Sequence, residues 1–132
     1  MVNMNNNNIL IKEGREFLVN YKSLNFYTDA HELTLEIYKL TKDFPKEELY
    51  GLASQLKRAS VSICSNIAEG SGKGSRLEFR RFINISIGSA KEVEYQLLLS
   101  KDLGYISIQT YDRINNLVSK VIGKMFRYME RL

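Results

Sequence analysis

From Phe26 onward the apolar positions of this chain recur at helical spacing. Phe26, Ala30, Leu33, Ile37, Leu40 and Phe44 lie 4, 3, 4, 3 and 4 residues apart, the interval that returns a side chain to one face of an α-helix. This stripe predicts a helix over 24–42. Asp43 and Pro45 end it, because proline disfavours helical backbone in the residue before it and suits the first turn of a following helix. A second stripe (Leu49, Leu52, Leu56, Ala59, Ile63, Ile67) predicts a helix over 46–69. Glu47 and Glu48 would sit in its positive first turn, and Gly70 would stop it.

A third helix, over 75–103, opens at Ser75 with Glu78 three residues on, the capping-box spacing. Phe79, Ile83, Ser86, Ala90, Val93 and Leu97 share one face, and Gly104 is its stop. The fourth, over 108–131 and capped by Ser107, carries Tyr111, Ile114, Val118, Val121, Met125, Tyr128 and Leu132 at alternating steps of 3 and 4. That is the mean period of left-handed bundle packing. Four long helices with short connections predict an all-α domain over 21–132, an antiparallel up-down-up-down four-helix bundle with left-handed packing.

Residues 1–20 do not follow this pattern. Asn5–Asn8 is low-complexity, so 1–20 is expected to be a partly disordered N-terminal tail. Within it, Ile9 to Val19 is expected to form a short helix or to pack loosely.

Small side chains cluster in helix 2 (Ala59, Ser60, Ser62, Cys64, Ser65) and helix 3 (Ser86, Gly88, Ser89, Ala90). They let two helix backbones approach, and a tight contact between helices 2 and 3 is the favoured reading. A flat surface for another subunit is the alternative. Gly88 inside a helix costs about 1 kcal/mol relative to alanine, which close packing would offset. Asn66 and Asn84 interrupt apolar stretches and are expected to be buried and hydrogen-bonded.

Composition adds three limits. A chain of 132 residues buries enough surface to fold without a staple. Its single cysteine, Cys64, allows no internal disulfide, which suits a reducing compartment. No apolar run reaches membrane-spanning length, and the first residues do not read as a signal peptide. A cytoplasmic location away from membranes is therefore expected.

The net charge is +4, and residues 70–91 alone carry five basic groups (Lys73, Arg76, Arg80, Arg81, Lys91) against Glu78. That stretch equals the net charge of the whole chain. Concentrated positive charge attracts polyanions and speeds their encounter. Lys57 and Arg58 lie one helix away, and Lys120, Lys124, Arg127 and Arg131 form a basic stripe on helix 4.

Catalytic chemistry is poorly represented. Gly70 to Ser75 reads GSGKGS, but a phosphate loop needs a glycine where Ile67 stands and Ser or Thr where Gly74 stands, between a strand and a helix. His31 and Cys64 are the only residues of their kinds, too few for a zinc or di-metal carboxylate site. Glu92 and Glu94 point in different directions and suit ion pairs better than acid–base work. No catalytic set, metal site or cofactor is expected. Arg58, Lys73, Arg76, Arg80 and Arg81 are the candidate nucleic-acid contacts, since lysine and arginine supply salt-sensitive phosphate binding.

One block has a family likeness. Phe44-Pro45, Glu48, Tyr50-Gly51-Leu52, Gln55-Leu56, Arg58-Ala59, Ser62-Ile63 and Asn66-Ile67-Ala68-Glu69-Gly70 carry it, followed by Ser75, Glu78-Phe79, Arg81-Phe82, Gly88-Ser89, Glu92, Glu94 and Gly104-Tyr105. The block resembles the four-helix-bundle family named for proteins encoded in intervening sequences of bacterial 23S ribosomal RNA genes. That family is similar to the accessory variability determinant proteins of diversity-generating retroelements, which form positively charged homopentamers that bind nucleic acid and a reverse transcriptase. The resemblance implies a homopentamer here, with Arg58, Arg76, Arg80 and Arg81 as contacts. Cys64 and Ser65 stand where many members have a proline, so helix 2 should be straighter. Together these features predict a non-enzymatic oligomer that binds RNA or DNA. The alternative is a protein-interaction scaffold, or accessory subunit, that does not touch nucleic acid.

Overall fold

The computed structural model describes residues 2–4, 9–12 and 15–132, with side chains from residue 17 onward. Four helices dominate: α1 (Asn25–Thr41), α2 (Leu52–Ser71), α3 (Arg76–Asp102) and α4 (Ile108–Glu130). α1 packs on α2, α2 on α3, α3 on α4, and α4 closes back on α1.

Cross-helix contacts set the directions. Between α2 and α3, Ser62 bonds Ser89 at 2.9 Å and Ser86 donates to the Ile63 carbonyl at 2.9 Å. One residue number rises as the other falls, so the helices are antiparallel. The same holds between α1 and α2, where Thr34 donates to the Ser60 carbonyl and Lys57 lies over the Tyr38 ring. It holds again between α1 and α4, through Asp29–Lys124 and Glu36–Arg113. Phe79–Tyr128 and Lys101–Tyr111 complete the ring between α3 and α4. The bundle is up-down-up-down.

The stripes expected from the sequence form the core. Phe26, Ala30, Leu33, Ile37, Leu56, Ile63, Ile67, Phe79, Ile83, Ala90, Val93, Leu97, Val118, Val121 and Met125 are fully buried. Ser60 and Ser86 are buried among them, so the small residues of α2 and α3 do serve a tight helix contact. Gly88 does not. A Cβ there would meet nothing within 4 Å, so close packing does not offset its helical cost. Asn84 is exposed, not buried. Asn66 is half-buried, and its amide donates to the Ser62 carbonyl and hydroxyl.

Helix 2 departs from expectation at both ends. Lys46–Glu48 forms one 3-10 turn, and α2 begins only at Leu52. Leu49, expected in the core stripe, is half exposed. Glu48 marks the start: its Oε1 accepts from the Leu52 N–H at 3.1 Å, and its Oε2 accepts from the Tyr105 hydroxyl at 2.8 Å. This carboxylate therefore satisfies a free helix-end donor and ties the α3–α4 turn to the start of α2. At the other end Gly70 does not stop the helix, which continues to Ser71. Gly70 is instead a point of close approach, where a Cβ would fall 2.4 Å from Phe82 Cβ. Through Cys64 and Ser65, α2 is unbroken.

The remaining caps follow the sequence. Ser75 accepts from the Glu78 N–H at 3.0 Å, but the Glu78 carboxylate turns to Arg81 and does not complete the capping box. Ser107 accepts from the Thr110 N–H at 3.1 Å. Past α3, Gly104 adopts φ +80°. Its N–H bonds the Lys101 carbonyl and that of Tyr105 bonds the Ser100 carbonyl, the paired closure that a left-handed residue permits.

Ile9 to Val19 is expected as a short helix or loose packing, and its described residues, Ile9–Lys12 and Arg15–Val19, are extended instead. β1 (Val2–Met4), β2 (Ile9–Lys12) and β3 (Arg15–Val19) form an antiparallel sheet in that order. The physical signal was period two: Phe17 and Val19 are buried and Leu18 between them is half-buried. β3 reaches the bundle through a bridge from Phe17 to Gly74 and a ring contact from Phe17 to Phe79 at 6.0 Å. Asn5–Asn8 lies outside the described residues.

Candidate nucleic-acid interface

The turn between α2 and α3 positions four of the five expected contacts. Gly74 takes φ +79°, a backbone that glycine adopts freely, and Ser75 caps α3 immediately after it. Lys73, Arg76, Arg80 and Arg81 then follow within about two turns, all exposed. Arg58 is exposed too, but it lies twelve residues before Gly70 along α2, about 18 Å along the helix axis. The structure does not bring it to the others.

The four clustered cations differ in availability. Lys73 pairs with Glu69 at 3.9 Å and lies 5.5 Å from the Phe82 ring centre. Arg81 bonds Glu78 at 2.8 Å and also lies over Phe82, at 4.8 Å. These two are partly compensated, although exposed pairs of this kind hold little energy. Arg76 lies over the Phe17 ring at 4.8 Å and has no carboxylate partner among the described residues. Arg80 has no ionic or ring partner among them. Arg76 and Arg80, four residues apart, share one flank of α3. Arg81 is rotated about 100° from Arg80 around the helix, toward α2.

Antiparallel packing brings two separate basic segments to one end of the bundle. The C-terminus of α4 comes to the same end of the bundle as the start of α3. There the Tyr128 ring meets Phe79 of α3, and burial raises the Tyr128 hydroxyl pKa against the opposing pull of the positive Arg131 and Arg76. Residues 20–30, 69–81 and 124–132, which form this end, hold Lys22, Lys73, Arg76, Arg80, Arg81, Lys124, Arg127 and Arg131 against Asp29, Glu69, Glu78 and Glu130. The opposite end, residues 36–57 and 101–113, holds six basic groups against six acidic ones. The bundle is therefore electrically polar along its axis. Only the topology reveals this, because the two basic segments are some fifty residues apart in sequence.

The helix 4 stripe is less free than expected. Lys124 donates to Asp29 at 2.7 Å and Lys120 approaches the same carboxylate at 3.6 Å. Asp29 is buried, so these lysines mainly compensate a carboxylate at the α1–α4 contact. Arg127 and Arg131 remain at the basic end, Arg131 5.9 Å from the Tyr128 ring centre.

Other candidate groups do not converge. His31 is exposed and stacks on Tyr27. Cys64 is half-buried, and burial pushes its thiol up to about 11, where little nucleophilic thiolate forms near neutrality. Glu69 and Glu94 pair with Lys73 and Lys91. Shallow clefts of about 270 and 330 Å³ lie beside Pro45 and between Arg58 and Glu92. No group of three or more His, Cys, Asp or Glu side chains suited to a metal occurs among the described residues. Likewise, no described helix is long and apolar enough to cross a membrane.

The family model for the 23S rRNA-intervening sequence protein matches residues 22–127. A crystal structure of a protein of unknown function from the S23 ribosomal protein family, from Bacteroides thetaiotaomicron VPI-5482, is similar to this chain at 27% sequence identity and a TM-score of 0.74. The likeness covers 79% of this chain and 97% of that one. No curated protein matches the chain.

Proposed function

The chain belongs to the 23S rRNA-intervening sequence protein family, and from that premise we propose that it is a non-enzymatic, oligomeric protein that binds nucleic acid electrostatically. The observation that carries the reading is the polarity of the bundle: eight basic side chains against four acidic ones at one end, near balance at the other. Arg76 and Arg80 are the primary phosphate contacts, because neither is compensated by a carboxylate among the described residues. Lys73 and Arg81 assist, and Arg127 and Arg131 extend the surface. Arg58 belongs to a different face, where an oligomer could bring it beside a neighbouring copy. A homopentamer is the assembly that the family resemblance implies, and repetition would multiply a weak patch by avidity. Structured RNA and duplex DNA are the first ligands to try, in a cytoplasmic setting.

The test is a titration of purified protein against labelled structured RNA and duplex DNA at low and physiological salt, with particle mass read by light scattering. The expected result is binding that weakens steeply with salt, by a particle several times the 15.3 kDa chain mass. Absence of binding at low salt would refute it.

A second reading, a protein-interaction scaffold, is favoured by large apolar side chains left in water. Tyr38 and Val61 are exposed and line one shallow cleft across α1 and α2, and such residues mark protein interfaces when grouped. It predicts a stable protein complex that survives nuclease treatment.

A further inference from the structure

Phe17 lies outside the segment shared with the family, which starts at residue 22, yet it is built into the basic end. It is 6% exposed, bridges Gly74 through the backbone, contacts Phe79, and carries the Arg76 guanidinium over its ring at 4.8 Å. Resting on the nucleic-acid reading above, we propose that β3 is an added part of the interface and that Phe17 is a positioning residue that holds Arg76 ready for a phosphate diester.

The four cations of the turn differ in what holds them. A carboxylate partner offsets the charge of a guanidinium and occupies one of its donors. Arg81 is so paired with Glu78, through its Nε. A ring attracts the cation without cancelling its charge. Arg80 keeps its charge as well, but no ion pair or ring contact among the described residues orders it, so binding must first restrict a side chain rich in rotamers. Arg76 combines an uncompensated charge with a fixed position. The guanidinium is also the group that matches phosphate geometry. The bridge at Gly74 further ties β3 to the turn two residues before Arg76, so the strand, the turn and the arginine are held as one unit. Family members built only from the bundle would present the same turn without this support.

The experiment uses the full-length protein and labelled structured RNA at several salt concentrations, with thermal unfolding recorded for each variant. Arg76→Leu is expected to weaken binding and to lower the magnitude of the log K against log salt slope by about one. Phe17→Leu keeps an apolar side chain but removes the ring. It is expected to weaken binding about two- to five-fold, the scale of an exposed cation–π contact. Phe17→Tyr should restore the affinity. The double variant Phe17→Leu/Arg76→Leu should bind no more weakly than Arg76→Leu alone. If Phe17→Leu leaves the affinity unchanged while Arg76→Leu lowers it, the positioning role is wrong and the nucleic-acid reading stands. Additive losses in the double variant would also overturn it, because Phe17 would then act only through general stability. If the unmodified protein binds no RNA, the underlying reading fails instead.

Discussion

Two glycines in the paired helices α2 and α3 should respond in opposite directions to the same change. Alanine at Gly70 places a methyl group 2.4 Å from Phe82 Cβ, 3.1 Å from its Cγ and 3.2 Å from Phe79 Cδ1. The nearest of these is rigidly attached to the α3 backbone, so no side-chain rotation relieves it and the helices must separate. Overpacking of this kind costs about 1–3 kcal/mol, and here the upper half applies because the obstruction is next to backbone. The helical gain from glycine to alanine offsets at most about 1 kcal/mol, less in a last turn. Gly70→Ala should therefore destabilise by about 1–2 kcal/mol. At Gly88 a Cβ meets nothing within 4 Å, so only the helical gain remains, and Gly88→Ala should stabilise by about 0.5–1 kcal/mol. Urea unfolding followed by circular dichroism, at one fixed protein concentration because association contributes to stability, reads both. Equal effects of the two changes, or a neutral Gly70→Ala, would refute the close approach of α2 and α3 at Gly70. Loss of stability in Gly88→Ala, restored by dilution to single chains, would show that Gly88 faces another copy.

Three further outcomes follow from the polar contacts. Asp29→Asn leaves Lys120 and Lys124 without their shared carboxylate, so stability should fall by about 1–3 kcal/mol while RNA affinity at low salt rises, read by unfolding and by titration of the same sample. Tyr105 has its hydroxyl pKa raised, first by its hydrogen bond to Glu48, then by desolvation and by the charges of Glu48 and Glu47. The neutral phenol is thus the favoured folded form. Its contribution is complete below the ordinary tyrosine range and is lost as pH rises through the elevated value, so Tyr105→Phe should be less sensitive to alkali than the parent in a pH series of melts. Cys64, at about 11, should react slowly with a thiol reagent at pH 8 in the native protein and quickly in urea, with the burst of colour marking unfolding.

Much of the bundle was legible in the sequence because its core stripes are long and regular. The Phe79–Leu97 and Ile114–Met125 faces bury as the 3- and 4-residue steps require. Leu49 failed because a stripe says which residues share a face only if the helix has already begun. Lys46–Glu48 makes a single tight turn first, and Glu48 spends its carboxylate on Leu52 and Tyr105. Gly70 was misread as a stop because glycine serves two ends, left-handed turns and close approach, and only the position of Phe82 distinguishes them. β3 was not legible because a five-residue strand gives little periodicity, and the bridge that seats it on the bundle, from Phe17 to Gly74, spans 57 residues. For the basic end, the charges near Arg76 were visible as a local excess. Which of them are compensated, that α4 adds Arg127 and Arg131 to the same end, and that Arg58 stands apart all depend on helix direction and side-chain contact.

The central claim is that one end of the bundle, and not its overall charge, attracts nucleic acid. The most direct measurement compares two charge-matched variants in RNA titrations across salt: Arg76→Glu/Arg80→Glu at the basic end and Lys42→Glu/Lys46→Glu at the other. Both lower the net charge equally. The account predicts that the first loses most of its affinity and flattens the salt slope by about two, while the second stays close to the parent. Equal losses in both would contradict it, leaving only non-specific attraction to a basic protein.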